Sequence, residues 1–589
     1  MSRGLGDVYK RQITMNKIIL SLAIGLSLLA GCNAPKEVAG DDRSLDFTAD
    51  WAFRLGDDTA AARLDYNDAD WRKLNLPHDW AVEGEFSRDN PSGTGGGALP
   101  GGIGWYRKTF IADKVDEGKR YRIDFDGVYM NSTVYINGHE LGTRPYGYIS
   151  FSYDLTPYIK WGEKNVIAVR VDNAEQPNSR WYSGCGIYRN VWLTKLNPVH
   201  VAQWGTYVTA EEVSKNSARL KIRTSLQYDV EMQTEDSVQQ ADGTYVVFDS
   251  EIIPLIDVVL QSRLVDADGH VVGEAVSEAQ LVPLAPAEVE QEINVKNPRL
   301  WSIDTPYMYR VESILKDKQT GEALDRYYTP TGIRTFRFDV QKGFILNGEQ
   351  VKINGVCMHH DQGALGAASY RDAVYRQVEK LKEMGCNAIR TSHNTPSSVL
   401  LEACNELGMM VMDETFDGWA FPKNGNSQDF STHFNQTISA DNKLLGATTG
   451  DTWYKFILES NIDRDKNDPS VIIWDIGNEL NFGVTDPSQY EQYAKNMKSY
   501  IEAIDKTRPI TVGDNNPGGL ANANTTEFRN KVSTVLAKNG EGLAGANYSM
   551  GSMSGIHNTH PDWKIIATET ASPSNSRGIY NTPVSYTHL

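Results

Sequence analysis

The sequence predicts three modules in series: a jelly-roll β-sandwich over residues 43–196, an immunoglobulin-like β-sandwich over 197–335, and a (β/α)8 TIM barrel over 336–589 that stops before its eighth strand. Three observations carry this. Short alternating runs broken by Asn-Gly and Asp-Gly turns fill the first 335 residues, as in RYRIDFDGV, STVYING and NVIAVRVDN. After Phe336 the pattern changes to short apolar runs alternating with helical periodicity, the signature of a parallel sheet. The length, 589 residues, allows about three or four domains.

Each element follows from its local pattern. Residues 197–335 continue as strands (ARLKIRTSLQYD, DVVLQSRLVDADG, YRVESILKD), a length that suits an immunoglobulin-like sandwich. NPSGTGGGALPGGIGW (90–105) is too rich in glycine for a regular element and reads as a surface loop. In the last module the predicted strands are 351–356, 386–392, 409–414, 471–479, 509–514, 542–548 and 564–570. Helices are predicted at 371–384, 396–407, 453–464, 487–505 and 524–538. Seven such strands in series fit a (β/α)8 barrel better than a doubly wound sheet. No G-x-G-x-x-G follows the first strand and no P-loop occurs.

Composition narrows the function. A chain that is 40% hydrophobic, with 13 Trp, 28 Tyr and 17 Phe, fills real cores and is not a disordered protein. Its net charge of −18, without a long basic run, disfavours nucleic acid as a partner. The five cysteines (Cys32, Cys185, Cys357, Cys386, Cys404) form no C-x-x-C pair, so neither a zinc ribbon nor a dithiol site is supported. Cys357, Cys386 and Cys404 read as small apolar core residues. From Met15 the chain reads MNKIILSLAIGLSLLAGC, a secretory leader over 15–31 too short to span a bilayer. Its LAGC ending resembles a bacterial lipobox, with Cys32 as the lipidated residue. The alternative is an ordinary signal peptide with a chance cysteine. The segments before Met15 (1–14) and VSYTHL at the end read as foreign scars and carry no weight in the fold.

In a (β/α)8 barrel chemistry collects where the strands end. Here those ends read His359-His360-Asp361, Arg390 with His393-Asn394, Asp413-Glu414, Asn478-Glu479, Asp514, Asn547-Tyr548 and Thr568-Glu569. One polar tip is what any loop gives; seven in order point to a shared site. No G-x-S-x-G elbow is present. Two residue-level readings remain. His359 and His360 suggest a metal-dependent, amidohydrolase-like barrel, but strand neighbours face opposite ways, so both reach one ion only beyond the strand. Carboxylates on strands four and seven lie across the barrel mouth and can flank a glycosidic bond, one as acid/base and one as nucleophile.

The second reading meets a resemblance. IIWDIGNEL is similar to the acid/base strand of glycoside hydrolase family 2, and IIATET to its nucleophile strand. LPHDW (76–80), GWYRKTF (104–110), FDGVYMNSTVYINGHELG (125–142), RPYGYISFSYDLTPY (144–158), RWYSGCGIYRNVWL (180–193), GVCMHHDQGALGAA and RTSHNTP extend the match across about residues 45–580. The resemblance implies Glu479 as general acid and then base, and Glu569 as nucleophile. It implies that Asn478 bonds the sugar 2-hydroxyl and that Tyr548 bonds the nucleophile. His393, Asn394, His360 and Asp361 are candidates for other substrate hydroxyls. Arg390, Asp413 and Glu414 are expected to support these groups from behind. Trp419 is a candidate to stack on sugar, with a packed core Trp as the alternative.

Within the family the wording is most similar to bacterial β-galactosidases of Bacteroides-type organisms. β-Glucuronidase and β-mannosidase are the alternatives, and a catalytically inactive carbohydrate-binding protein is a reading of another class. The resemblance implies an oligo- or polysaccharide substrate and no cofactor for catalysis, with structural Mg, Ca or Na and homo-oligomers allowed. The leader places the protein in the periplasm or outer membrane, with membrane contact only through the lipid on Cys32. Family members continue to an eighth strand and further β-domains, so a longer protein is expected.

Overall fold

The computed structural model describes residues 43–230, 237–239, 245–247, 254–480, 487–515 and 529–570. Cys32, the leader and both terminal segments read as scars lie outside the described residues.

The first module is two antiparallel sheets packed face to face. One has four strands in the order Ser44–Asp46, Val191–Leu196, Arg120–Phe125, Phe151–Asp154. The other has six, with Gly102–Ile111 paired along its length to Lys164–Asn173 at the centre. The Gly-rich stretch therefore ends earlier than the composition suggests: from Gly102 onward it is strand, and only the turns before it are irregular. Trp51, Trp80, Tyr106, Tyr121 and Phe125 fill the space between the sheets. The second module has a three-stranded sheet (Val199–Glu211, Ser217–Tyr228, Ala287–Lys296) facing a four-stranded one built on Ile256–Val265 and Tyr309–Asp317. Strict alternation along Ala287–Lys296 buries Val289, Ile293 and Val295 and exposes the glutamates between them.

The third module holds seven parallel strands in sequence order: β1 (Gly355–Cys357), β2 (Ala388–Arg390), β3 (Met410–Glu414), β4 (Val471–Asn478), β5 (Ile510–Asp514), β6 (Leu543–Asn547) and β7 (Lys564–Glu569). Helices α1 (Arg371–Glu383), α2 (Ser398–Leu407), α3 (Trp453–Asp465), α4 (Pro487–Ile504), α5 (Arg529–Ala537) and α6 (Met553–Thr559) alternate with them. β1 starts four residues later than its apolar pattern suggests. The residues before it instead form a small antiparallel sheet, Phe336–Asp339, Gly343–Leu346 and Glu349–Gln350. Its Phe338, Phe344 and Leu346 pack with Trp301 against Ala388, Met410, Ile472, Leu543 and Ile566, and so form the floor of the barrel interior. A closed apolar floor leaves the polar residues at the opposite, C-terminal ends of the strands.

The jelly-roll domain grips that upper end. Buried Asp79 accepts N–H bonds from Ala367 (2.8 Å) in the loop after β1 and from Cys185 (2.9 Å), plus the Tyr182 hydroxyl. Arg189 donates to the carbonyls of Thr395 (3.0 Å) and Pro396 (3.1 Å), in the loop after β2.

Candidate active site

β4 is Val/Ile/Trp-rich and wholly buried as far as Asn478. It ends in a left-handed residue, Glu479, at φ +45°. Tyr548, just past β6, sits at φ +51°. Non-glycine residues in this region carry strain on the order of 1–3 kcal/mol, which the surrounding contacts must hold. The Glu479 N–H donates to Gly513 O at 2.7 Å. Gly513 must be glycine: a Cβ there would lie 2.8–3.0 Å from Arg390, Asn478 and Asn547. This close approach brings the β2, β4 and β6 tips together.

Arg390 is the hub. Its guanidinium bonds Glu569 (2.7 Å), Asp475 (2.8 Å) and Glu414 (3.0 Å), and approaches Asn478 Oδ1 at 3.3 Å. Burial pushes the Glu414 and Asp475 carboxyls well above the usual range, and the Arg390 charge only partly opposes it. At Glu569 burial acts the same way, but Arg390 and the Tyr548 hydroxyl, which donates to Oε2, outweigh it and hold the carboxyl below its ordinary value. Of the three carboxyls on Arg390, Glu569 is thus the one set to be anionic. Asn547 links the two glutamate strands. Its Nδ2 donates to Asn478 Oδ1 (3.0 Å) and Glu479 Oε1 (3.2 Å), and its Oδ1 accepts from the Thr568 hydroxyl (2.6 Å). His393 lies between Glu414, 3.0 Å from Nδ1, and Glu569, 3.6 Å from Nε2. Burial and then the Arg390 charge push its pKa down to about 3, so the ring is neutral.

The structure therefore collects Glu479, Glu569, Asn478, Tyr548, His393, Arg390 and Glu414 in one network. Other candidates fall outside it. Asp413 points away from the barrel interior toward α3, where Asn461 bonds it, because neighbours on a strand face opposite sides. Trp419 is fully buried, donates to Ile476 O at 2.7 Å and stacks on Tyr490, so it is core and not a sugar platform. His360 is turned toward the jelly-roll domain, 3.2 Å from Ser183 O and against Tyr148 and Tyr188. Asp361 accepts from the Gly363 N–H in the loop after β1, and its carbonyl accepts from Gln377 of α1. Asn394 is buried in the loop after β2, bridged to Phe416. Cys357 is exposed and Cys386 half-buried; of the three barrel cysteines only Cys404 is core.

His359, the other half of the suggested metal pair, stacks on Trp181 (5.2 Å between centroids) and meets His393 edge-on. The two imidazoles are thus held by different neighbours and do not converge. Among the described residues the acidic/His group close enough to share an ion is Asp266–Asp268–His270, in an exposed turn of the second module.

Residues missed by the strand-end reading come from loops. Asp417, in the loop after β3, accepts from Arg180 (2.6 Å), Lys423 (2.7 Å) and Asn478 Nδ2 (3.2 Å). Arg180 and Trp181 belong to the jelly-roll domain and reach into the barrel mouth. Their signal was present in RWYSGCGIYRNVWL and in DETFDGW, but spacing along the chain does not reveal a contact between domains.

Glu479 and Glu569, at the ends of β4 and β7, thus share one polar network in a parallel-stranded barrel that two β-sandwiches precede along the chain. The chain belongs to glycoside hydrolase family 2. The family's sugar binding domain matches residues 98–197, the model described simply as glycosyl hydrolases family 2 matches 199–334, and the family's TIM barrel domain matches 338–566. The chain is 46% identical to the β-galactosidase BoGH2A of Bacteroides ovatus over 94% of its length, and 33% identical to a putative β-glucuronidase of Formosa agariphila over 91%. A crystal structure of a family 2 member from Bacteroides cellulosilyticus superposes with a TM-score of 0.77 at 34% identity, over 90% of this chain. The chain spans 62%, 44% and 61% of these three relatives.

Proposed function

We propose that the protein is a retaining, exo-acting glycosidase that removes terminal β-D-galactosides. Glu479 protonates the leaving oxygen while Glu569 attacks the anomeric carbon, forming a glycosyl-enzyme. Glu479 then takes a proton from water, which displaces the sugar. The observation that supports this most is the asymmetry of the pair's direct contacts. Glu569 is held anionic by Arg390 and Tyr548, as a nucleophile requires, whereas the hydrogen bond found for the Glu479 carboxyl comes from the neutral Asn547 amide, with the Arg180 and Lys423 charges beyond it. The reading expects the carboxyls to stand about 5–5.5 Å apart and Asn478 to contact the sugar 2-hydroxyl. A neutral sugar is favoured over a uronate because Arg180 and Lys423 are already engaged by Asp417. No Lewis acid is required, since the pair supplies both nucleophile and proton, so activity should survive excess chelator. The leader suggests a lipid on Cys32 and a periplasmic or outer-membrane site; palmitate labelling lost in Cys32→Ser tests it.

The decisive experiment is a panel of nitrophenyl glycosides with the full chain and Glu479→Gln. Galactoside should be preferred over glucuronide and mannoside. The variant should lose more on an alkyl galactoside than on the nitrophenyl one, and azide should restore turnover as galactosyl azide. Equal loss on both substrates with no azide effect would remove Glu479 from the acid/base role.

A further inference from the structure

Asn478 is held from every side. Its Oδ1 faces two donors, Asn547 Nδ2 at 3.0 Å and Arg390 NH2 at 3.3 Å. Its Nδ2 faces Asp417 Oδ1 at 3.2 Å and His393 Nε2 at 3.4 Å. The backbone is fixed as well: the Asn478 N–H donates to Asp417 O (2.9 Å), and Lys423 Nζ donates to Asn478 O (2.7 Å). An amide has two orientations of nearly equal shape, and its charged neighbours choose between them. A flip here would set the carbonyl against the Asp417 carboxylate and the NH2 against the Arg390 guanidinium. Arg390 is tied to the Glu569 carboxylate, whereas Asp417 is held by cations. Asp417 is anchored from the other side, by a two-pronged bond from Arg180 (Nε 3.2 Å, NH2 2.6 Å) that crosses from the jelly-roll domain. Burial opposes ionisation of Asp417, but the Lys423 and Arg180 cations overcome it and keep the carboxyl well below the usual range, so it is a permanent acceptor.

We propose that Asp417 is a positioning residue for the glycosidase reaction and that Arg180 extends the same function into the jelly-roll domain. Together they fix the Asn478 amide so that its NH2 keeps one hydrogen on Asp417 and can donate the other, now in a long 3.4 Å contact with His393, to the hydroxyl of a pyranoside next to the anomeric carbon. This rests on the functional reading above. It makes the first domain a part of the catalytic centre, acting through one carboxylate. A purely structural role predicts something different: loss of Asp417 would weaken all ligands alike.

The test is calorimetric binding of galactono-1,5-lactone and its 2-deoxy analogue, which needs no turnover. The parent chain should prefer the hydroxylated lactone by about tenfold or more, one buried hydrogen bond. Asp417→Asn keeps shape and removes the charge; its preference should collapse to within about threefold, the amide now adopting both orientations. Asp417→Glu should restore part of it. Arg180→Gln leaves the Lys423–Asp417 pair in place, serves if Asp417→Asn does not fold, and should give an intermediate ratio. A parent that binds both lactones without preference, or variants that weaken both equally, overturns the inference while leaving the glycosidase reading intact. A parent that binds neither overturns the reading and the inference with it.

Discussion

Two buried arginines in this protein do opposite things. Arg390, on β2, is surrounded by carboxyl groups: Glu414, Asp475 and Glu569 lie within 3.0 Å of it. Arg189, in the jelly-roll domain, has carbonyls instead, those of Thr395, Pro396, Tyr148 and Asp126. Burial lowers the pKa of both; at Arg390 the facing Glu414 and Asp475 carboxyls reverse the effect and raise it far above normal, whereas at Arg189 burial prevails. The difference separates two uses of a guanidinium. One holds Glu569 ionised beside two buried carboxyls. The other fixes the path of the loop that carries His393, where any change of charge is a cost.

The comparison can be broken at several points. The largest effect is expected from Glu569→Gln, which removes both the nucleophile and one of the charges on Arg390. Turnover of nitrophenyl galactoside should fall on the order of 10⁴-fold or more. A variant within tenfold of the parent would take the nucleophile away from β7. Next, Arg390→Met should cost about 10²–10³-fold in kcat, because a preorganised cation beside the reacting group is lost. It should also cost about 3–5 kcal/mol of stability in urea unfolding, since it strands buried carboxyls.

Arg189→Met should be milder on activity, about tenfold, with a stability loss of about 1–3 kcal/mol from the orphaned carbonyls. Arg189→Lys should recover little, since a single ammonium cannot reproduce the planar fork. If Arg189→Met reduces kcat as far as Arg390→Met, the division between charge-setting and loop-holding arginines fails.

A third arginine sharpens the contrast and gives the smallest effect. Arg508 is paired at 2.8 Å with Asp505, which also receives the Tyr207 hydroxyl (2.6 Å) from the second module and Trp474 Nε1 (2.9 Å). Burial opposes ionisation of Asp505, but Arg508 prevails and holds its pKa at about 2, below the ordinary 3.8. A depressed carboxyl stabilises the fold above its unfolded pKa and loses that contribution as pH falls through the folded one. Asp505→Asn should therefore be about 2 kcal/mol less stable than the parent at pH 7, and the gap should close between about pH 4 and 2. A gap independent of pH would assign the loss to packing rather than charge.

Much of this molecule is readable from local sequence. Period-two alternation with Asn-Gly turns identifies the sandwiches, and apolar runs separated by helical patterns identify seven parallel strands in order. Errors appear where a pattern is ambiguous at short range. Residues 351–354, with Val351 and Ile353 alternating, look like the start of β1 but belong to the connection leaving the floor sheet. Gly102 looks like loop but opens a ten-residue strand, because pairing to Lys164–Asn173 overrides the low strand preference of glycine. Of the strand-end candidates, members from the tips of β2, β3, β4, β6 and β7 meet, as barrel geometry requires. Adjacent residues part company: Glu414 faces Arg390 while Asp413 faces α3, and His359 faces Trp181 while His360 faces Ser183.

The sequence by itself determined the modules, the strand order and the two glutamates at opposite sides of the barrel mouth, because hydrophobic period and strand-end chemistry are local properties of a chain. Only the tertiary structure decided which carboxyl is held anionic, which way Asn478 points, that Trp419 is core, and that Arg180 and Trp181 enter the site from another domain. Those depend on distances between residues hundreds of positions apart, and on how far burial has weakened the screening between their charges.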